Sequence, residues 1–446
     1  MPETRTFNGL LRACRAAKDA ARASRLYARM VRLGPPPDTV TVSVVLSAVA
    51  TGGTVDPDWA VAAFQRGGVR AAADPGAVAA LAYALRCGPS PPPQDAADAA
   101  FDAFDVLRSE YRAADAWATA EILHLAAAAG APARARSAWT AAVGDNVAPT
   151  PHMYSALFVA AATAAAQSAD AALVTLADRA GARLRRDWDR EVAAAAPRPP
   201  PPRITRSHLV AHNALMHFLA ACARCDDARM LLDVMLVAGP PPDVVTLNAA
   251  LDAAAQAGDV DAAFAVHGLA SGVTVPVTGA SGAGVAAITP DVETFGGLLH
   301  ACARAGAADD AAAVMAAMAD AGIEPSVQAY TSYMSALVAA EARASIADAD
   351  TGFSSRGRRG TPHGGAVAVA TSVLDDMLAA GLAPTAVTYG VLLSAASAAG
   401  DADSALRFYS DAADRGVALT DECHAKLAIA VANAGRPDDA LAAVRS

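Results

Sequence analysis

Apolar residues fall in blocks of helical spacing, and each block is broken after a few turns by Gly, Pro or Asp. Runs in which β-branched or aromatic residues alternate with polar ones, the usual signal of strands, are scarce. Alanine dominates the 54% apolar content while aromatic residues make up only 5%, and small side chains favour closely stacked helices. The pattern predicts an all-α protein. The apolar blocks are also too short and too interrupted to span a membrane.

A short motif recurs along the chain at a nearly fixed interval. It is represented by Pro242-Asp243-Val244-Val245-Thr246, and similar openings follow Pro37, Pro290 and Pro384. The alanines at 228 and 263, and those at 405 and 440, are each 35 residues apart. Between Asp243 and Asp291 the interval is 48 residues, which indicates one insertion of thirteen residues within a single unit. A fixed period of this length is typical of repeat proteins.

The chemistry of one unit predicts two helices. An Asp, Ser or Thr at the boundary accepts hydrogen bonds from the free N–H groups of the first helix, and the preceding Pro ends the helix before it. Glycines such as Gly258 and Gly306 close the first helix. The recurring Ala lies where two helices approach, and a Met four residues before a Gly, as in Met235 and Gly239, fills the end of the second helix. Because neither helix can bury its apolar face alone, the units must stack. We expect a right-handed α-solenoid.

With its 35-residue period and the segment Ala-Cys-Ala-Arg-Ala-Gly at 301–306, the chain resembles the pentatricopeptide-repeat family. Tetratricopeptide repeats, by contrast, run on 34 residues and carry an early Trp-Leu-Gly-Tyr signature that this sequence lacks. The resemblance covers 4–446, being regular at 4–38, 209–326 and 386–446 and irregular at 75–208. We predict about eleven helix-turn-helix units, which start at Thr4, Thr39, Pro75, Ala116, Pro151, Leu209, Val244, Val292, Val327, Ala386 and Asp421.

Three segments interrupt the predicted array. Residues 181–208 combine several arginines with a run of four prolines, residues 271–288 are rich in Gly, Val and Ser, and residues 341–366 contain Arg-Gly-Arg-Arg-Gly. Their composition predicts flexible, solvated insertions. Met1 leads directly into the first unit without a visible targeting peptide, and the last unit stops within its second helix. We therefore expect the chain to be a fragment or a partial gene product.

The resemblance implies binding of single-stranded RNA, commonly one base per repeat, with the fifth and last residues of a unit selecting the base edge and the second residue packing on its face. Asn with Asp then implies uracil, and Ser with Asp implies guanine. The resemblance also implies an organellar protein, in chloroplast or mitochondrion, that acts in RNA processing, stability or translation. The predicted RNA-binding residues are Asn8, Asp38, Ser43, Asp74, Val210, Asn213, Asp243, Val245, Asn248, Asp291 and Thr331.

A helical scaffold that holds a protein or peptide partner on its concave face is the alternative. The boundary Asp and Thr residues are already explained as helix caps, and the net charge of -10 gives no electrostatic support for phosphate binding. The fifth position is also mixed. It carries a residue that cannot read a base edge at Ala79, Ala120, Gly296, Gly390 and Ala425.

No constellation in the sequence indicates catalysis. Cys222 and Cys225 have the spacing of metal ligands, but no second pair lies at a suitable distance, so helix packing is the better interpretation. The six cysteines are too scattered for a disulfide framework. We expect no enzyme, no cofactor, no metal, no small-molecule substrate and no membrane partner.

Overall fold

The computed structural model describes residues 3–53, 55–110, 114–196, 200–272, 274–279, 282–350 and 365–436. The chain divides into two compact units. The first comprises Met1–Cys222 and Asp233–Pro241, and the second comprises Ala223–Leu232 and Pro242–Ser446. No helix among the described residues is long and apolar enough to cross a membrane.

The first unit is built from helix pairs that follow one another along the chain. Its elements are α1 (Thr4–Ala16), α2 (Ala20–Leu33), α3 (Thr39–Gly52), α4 (Pro57–Arg66), α5 (Gly68–Ala72), α6 (Pro75–Arg86), α7 (Gln94–Ser109), α8 (Ala116–Ala128), α9 (Pro132–Gly144), α10 (Pro151–Ala166), α11 (Ala171–Ala195), α12 (Pro202–Ala221) and the end of α13 (Cys225–Val237). The first helices of successive pairs contact one another in the order α1, α3, α6, α8, α10 and α12. This row of first helices thus forms one continuous face of the unit.

The second unit follows the same plan. It contains the start of α13 and then α14 (Val244–Ala257), α15 (Val260–Gly272), β1 (Thr274–Gly279), β2 (Gly282–Ala287), α16 (Val292–Ala305), α17 (Ala308–Asp320), α18 (Val327–Asp350), α19 (Gly365–Ala379), α20 (Ala386–Ala399), α21 (Ala402–Asp414) and α22 (Asp421–Asn433). Here the first helices contact in the order α14, α16, α18, α20 and α22, and each intervening helix packs between its own first helix and the next. Apart from the β1–β2 pair, each unit is an α-helical solenoid of the kind that the sequence predicts.

Small and flexible side chains fill the space between the helices of a pair. Ala228, Ala263 and Ala311 are buried, and so are Met235 and Met318. A side chain larger than Ala would force the paired helices apart, because protein interiors are packed as densely as organic crystals. Glycines in the left-handed conformation, Gly258 with φ 73° among them, end α14, α16 and α20. The predicted roles of these residues are confirmed.

The predicted unit starts agree with the observed helices except in one place. Ten of the eleven predicted starts are the first residues of helices, whereas α12 begins at Pro202 and not at Leu209. Pro202 occupies the first helical position, where a missing N–H costs nothing. The extra turns therefore precede the repeat without changing the register of its fifth residue.

All three predicted flexible insertions contain regular structure. Residues 181–195 belong to α11, because Ala177, Gly181, Leu184 and Trp188 form a buried stripe at helical spacing that the arginine content obscured. In the second insertion β1 pairs with β2 in antiparallel orientation with Thr278 opposite Ala283. The prediction of a loop was wrong at both places. In the third insertion α18 continues to Asp350, and residues 351–364 lie outside the described part of the chain.

Candidate functional site

In the described part of the chain, four first helices begin with a reciprocal cap. In each, the side chain of the last residue of one repeat accepts a hydrogen bond from the backbone of a threonine three residues later, and that threonine's hydroxyl accepts from the backbone N–H of the cap residue. All four threonines are fully buried. The pairs are Asp38 with Thr41, Asp243 with Thr246, Asp291 with Thr294, and Thr385 with Thr388.

At the junction of α1 and α3 the fifth residue of the first repeat joins this cap. The Asn8 amide nitrogen donates to Asp38 Oδ1 at 3.1 Å, and its carbonyl oxygen accepts from the Thr41 hydroxyl at 2.7 Å. Thr41 Oγ1 also lies 2.6 Å from Asp38 Oδ1. The Thr41 hydroxyl proton is therefore shared between two acceptors, the Asn8 carbonyl oxygen and Asp38 Oδ1. Reversing the amide would set two acceptors, the Asn8 oxygen and the Asp38 carboxylate, against each other. The Asp38 carboxylate therefore fixes the orientation of the Asn8 amide.

The same arrangement recurs in the second unit. The Asn248 amide nitrogen donates to Asp291 Oδ1 at 3.1 Å, and its carbonyl oxygen accepts from the Thr294 hydroxyl at 2.7 Å. Thr294 Oγ1 lies 2.9 Å from Asp291 Oδ1. We call this three-residue network the Asn–Asp–Thr junction. The two junctions share the same Asn–Asp and Asn–Thr distances, although they lie in repeats far apart in the chain.

A hydroxyl version of the junction connects α18 and α20. Thr331, at the fifth position, places its Oγ1 3.0 Å from Thr388 Oγ1, which in turn lies 3.3 Å from Thr385 Oγ1. Thr331 also donates to the carbonyl oxygen of Val327 at 2.7 Å. Threonine thus fits the fifth position and keeps the link to the following helix.

Both aspartates of the Asn–Asp–Thr junctions are held as carboxylates. Burial alone would raise the pKa of Asp38, but hydrogen bonds from Thr41 and Asn8 lower it below its ordinary value. The balance at Asp291 is the same, with Thr294 and Asn248 as the donors that lower its pKa. A charged acceptor at neutral pH keeps each amide in place.

After these internal bonds each amide retains little hydrogen-bonding capacity. An asparagine amide has two N–H donors and two lone pairs on its oxygen, and the junction engages both ends of the group. The side chain of Asn8 is only 7% exposed, whereas Asn248 is half-buried. Each amide keeps one N–H donor and one oxygen lone pair outside the junction. These two groups are adjacent and fixed in orientation, at the edge of the face formed by the first helices. Such a pair matches the edge of a nucleic-acid base or of a peptide group.

The predicted pair of Ser43 and Asp74 differs from this geometry. Asp74 caps α6 by accepting from the backbone N–H of Gly76 at 2.8 Å, and within the described residues no hydrogen bond links it to Ser43. Asn213 is a buried residue of the first unit, and Asp243 caps α14 in the second unit with 3.0 Å between its Oδ1 and the Thr246 nitrogen. Cap formation is therefore an observed role of both Asp74 and Asp243.

The second position of several repeats carries an exposed side chain, in most cases an apolar one. Val210 is 53% exposed and Val245 is 45% exposed, as the sequence prediction requires of residues that pack on a ligand. Trp117 of α8 and His152 of α10 hold the same position and are also exposed, and neither is among the residues predicted from the sequence. Counting two residues from each helix start would have found both.

The repeats at α6, α8 and α10 carry a different polar cluster. Here the fifth residues of the first two are Ala79 and Ala120, both buried. Glu121, the next residue of α8, accepts from the Arg86 guanidinium at 3.2 Å and lies 3.4 Å from the Nε2 atom of His152. We call Arg86, Glu121 and His152, with the adjacent His124, the Arg–Glu–His cluster.

The protonation states in the Arg–Glu–His cluster follow from its burial. Burial would raise the pKa of Glu121, but contacts with His152 and Arg86 lower it below its ordinary value. Burial, reinforced by the positive charge of Arg86, lowers the pKa of His124 to about 4 despite the opposing effect of Glu121. His124 is therefore neutral at pH 7 beside a charged carboxylate. Among the described residues no group of three His, Cys, Asp or Glu side chains is placed to hold a metal ion.

These observations define a helical-repeat protein with a repeating polar junction on one helix face. Residues 285–339 match the family model described as a pentatricopeptide repeat domain, and residues 387–417 match the model described as a PPR repeat. Two segments of the chain therefore match pentatricopeptide-repeat models. No curated protein matches it.

Three similar solved structures are all of the pentatricopeptide repeat protein PPR10. The structure in complex with an 18-nt psaJ RNA element, and that of a form with three cysteines replaced by serine and the same element, each have 16% identity and a TM-score of 0.31. The structure of PPR10 from maize has 16% identity and a TM-score of 0.35. In each case the alignment covers 100% of this chain and 74% of the other.

Proposed function

We propose that this protein binds single-stranded RNA sequence-selectively along the row of first helices in each of its two units. The observation that carries the proposal is the Asn–Asp–Thr junction, which presents an oriented amide at the fifth position of two separate repeats with the same distances. An orienting carboxylate makes the amide's remaining donor and acceptor specific, because it suppresses the reversed amide that would present the opposite pattern. The matches of residues 285–339 and 387–417 to pentatricopeptide-repeat models support the same function.

The exposed valines supply the second element of the proposed site. Val210 and Val245 stand free of the core at the second position of their repeats, so a base can pack its face against them while the fifth residue contacts its edge. Burying an apolar side chain under a base contributes affinity without selecting the base. Selectivity then depends on the fifth position, and repeats with Ala79, Ala120, Gly296 or Gly390 there contribute no edge contact through a side chain.

The proposed role of the complex is organellar RNA processing, stability or translation, as the family implies. Binding without catalysis is the proposed activity. The repeats would act by covering a defined segment of a transcript and so controlling the access of other proteins to it.

A protein-binding scaffold remains the second candidate, and the charge of the chain favours it. RNA binding normally gains much of its affinity from cationic contacts with phosphates, whereas this chain carries a net charge of -10. Binding of RNA at low salt, with base selectivity, is therefore the measurement that separates the two functions.

The test replaces two consecutive fifth-position residues, Asn213 and Asn248, with threonine. The Thr331 junction shows that threonine fits at this position. We expect wild type to prefer uracil at the base that each of these residues contacts and the double variant to shift both preferences towards guanine, by about tenfold per site, since a specific base contact is worth about 1–3 kcal/mol. Binding of short RNAs that differ only at those two bases, at fixed low salt, measures the shift.

The matched control is Asn433→Thr, the same chemical change at an exposed residue outside the fifth-position series. It should leave base preference unchanged. Equal binding of all four homopolymers by wild type and double variant, or no RNA binding by either, would favour the scaffold.

A further inference from the structure

A cavity of about 330 Å³ lies in the first unit beside the segments where α11 and α12 exceed the length of a regular repeat. Its walls come from α10, from the second half of α11 and from the start of α12. The volume falls within the range of pockets that hold small molecules. Its polar lining consists of Tyr154, Arg183, Asp187, Arg190, Glu191 and His208.

The extension of α11 directs one stripe of side chains at this cavity. Arg183, Asp187, Arg190, Glu191 and Ala194 follow the spacing of a single helix face, while Leu184 and Trp188 on the neighbouring face are buried. A regular repeat ends its second helix before these residues. The cavity is therefore a feature of this chain's extended helix pair.

Two of the four charged side chains along this stripe form an ion pair with each other. Arg190 forms an ion pair with Asp187, which also accepts a hydrogen bond from the Tyr154 hydroxyl at 2.7 Å. Arg183 is half-buried, and no hydrogen bond or ion pair engages its guanidinium within the described residues. Glu191 likewise has neither among those residues, and it lies eight residues further along, about 12 Å along the helix axis. The cavity thus has a cationic end, an anionic end and a neutralised middle.

His208 closes the cavity from α12. Its side chain is buried against Trp188, with 5.3 Å between the ring centroids, and its Nδ1 atom has no hydrogen-bond partner among the described residues. Burial lowers its pKa although Glu191 and Asp187 oppose the shift, so the ring is neutral at pH 7. A neutral imidazole adds hydrogen-bonding capacity without altering the separation of charge between Arg183 and Glu191.

We propose that this cavity binds a nucleoside 5′-monophosphate, with the phosphate on Arg183 and the amino group of the base on Glu191. A guanidinium matches phosphate oxygens through paired N–H donors, and a carboxylate accepts from the exocyclic amine of cytosine. Pro149, Pro151 and Ala194 give the base an apolar surface between the two ends. Bases with an exocyclic amine should bind better than uracil. The same chemistry is offered by a free nucleotide or by the 5′-terminal nucleotide of an RNA.

The experiment measures binding of CMP, UMP and cytidine to the full chain by equilibrium dialysis, with quenching of tryptophan fluorescence as a second readout, since Trp188 contacts His208. We expect CMP to bind at least tenfold more tightly than cytidine and several-fold more tightly than UMP, since a charge-assisted contact is the stronger kind of hydrogen bond. Arg183→Gln should lose the first difference and Glu191→Gln the second. Arg185→Gln, which removes an exposed cation from another face of the same helix, is the control and should bind CMP like wild type.

A short RNA beginning with cytidine, with and without a 5′-phosphate, distinguishes the two sources of the ligand. Tighter binding of the phosphorylated RNA than of CMP, sensitive to Arg183→Gln, identifies a terminal nucleotide; the reverse order identifies a free one. Equal binding of CMP and cytidine, or an Arg183→Gln protein that binds CMP like wild type, would overturn the proposal. The Asn213 and Asn248 double variant should still bind CMP, so failure at this cavity and failure of base reading by the repeats are separable.

Discussion

The Asn–Asp–Thr junction and the Arg–Glu–His cluster connect successive first helices in different ways. At the junction of α1 and α3 the fifth residue, Asn8, is itself the polar link. At α6, α8 and α10 the link passes to Glu121, one residue beyond an alanine at the fifth position. One region keeps an oriented amide at the helix face, whereas the other uses its polar groups in a salt bridge inside the repeat stack.

Polar contact between repeats and base-reading capacity are therefore separate properties. A repeat with alanine at the fifth position has no side chain there that can contact the edge of a base. The repeat at α8 is nevertheless linked to its neighbours, because Arg86 and His152 both contact the buried Glu121 carboxylate. Such repeats fit the role of spacers that maintain the register of the array. The expected consequence is that the Arg–Glu–His cluster affects stability most, and the fifth-position amides affect both stability and selectivity.

The largest effect is expected from Glu121→Ala. Removing this carboxylate deprives Arg86 and His152 of their shared partner, and loss of one member of a buried charge pair is costly. Because the Arg86 side chain is 33% exposed, we expect a loss of about 2–3 kcal/mol in the free energy of unfolding, at the low end for such pairs. Urea denaturation measures it. Asp102→Ala, which removes an exposed carboxylate 3.7 Å from Arg134, should cost less than about 0.5 kcal/mol; equal losses would show that the cluster is only a surface ion pair.

The pH dependence of stability should report the same cluster. The pKa of His124 is about 4 in the folded state and 6.5 in the unfolded state, so the unfolded state takes up the proton first as the pH falls. The free energy of unfolding should decrease by about 2 kcal/mol between neutral pH and about pH 5 on this account. Asp38 and Asp291, with lowered pKa values, contribute stability above the pKa of an unfolded aspartate and lose it at more acidic pH. The two windows are therefore distinct.

In the His124→Gln variant the free energy of unfolding should depend less on pH between neutral pH and about pH 5. Its decrease at more acidic pH, which comes from Asp38 and Asp291, should be unchanged. His212, whose pKa burial also lowers to about 4, keeps part of the upper dependence in that variant. Thermal melts at half-unit pH steps measure both windows. An unchanged slope between about pH 6.5 and 5 would contradict the assignment of a buried neutral His124.

A smaller loss is expected from removing the amide of the Asn–Asp–Thr junction. Asn8→Ala should cost about 1–2 kcal/mol, since it breaks two hydrogen bonds at a buried site but leaves Thr41 bonded to Asp38. Ser43→Ala, at the same position of the next repeat and in the same unit, should cost less than about 0.5 kcal/mol, because no hydrogen bond links Ser43 to Asp74 among the described residues. Equal losses in the free energy of unfolding for the two variants would mean that the Asn–Asp–Thr junction stabilises the fold no more than Ser43 does.

The sequence was sufficient to predict the repeats but not the contacts of the fifth position. Periodicity and cap chemistry located nearly every first helix, because Asp38, Asp291 and Thr385 signal helix starts locally. The bond from the buried Thr41 to Asn8 could not be predicted, since it joins residues 33 positions apart whose approach depends on how helices stack. For the same reason Ser43 and Asn8 looked alike in sequence and differ in contacts.

The long α11 shows a different limit. Counting arginines and prolines predicted a loop, whereas the stripe from Leu173 to Trp188 predicts a helix when it is read at a spacing of three to four residues. Burial of that stripe against neighbouring helices outweighed the composition of the exposed face. The strands at 274–279 and 282–287 have no such signal beyond a few β-branched residues, which are consistent with either a loop or a strand pair.

The smallest effect on stability, and the sharpest test of the proposed RNA-binding face, is expected from Val245→Ala. Val245 is 45% exposed at the second position of α14, so shortening it should change the free energy of unfolding by less than about 0.5 kcal/mol. If a base packs on this side chain, losing two methyl groups from the contact should weaken RNA binding by about 1 kcal/mol, roughly fivefold, without altering base preference.

Val234→Ala is the matched control, because Val234 is 47% exposed but belongs to α13, a second helix. RNA titrations at fixed low salt should show a roughly fivefold loss for Val245→Ala and none for Val234→Ala. Equal affinities for the two variants would place the bound RNA, if any is bound, on a surface other than the row of first helices.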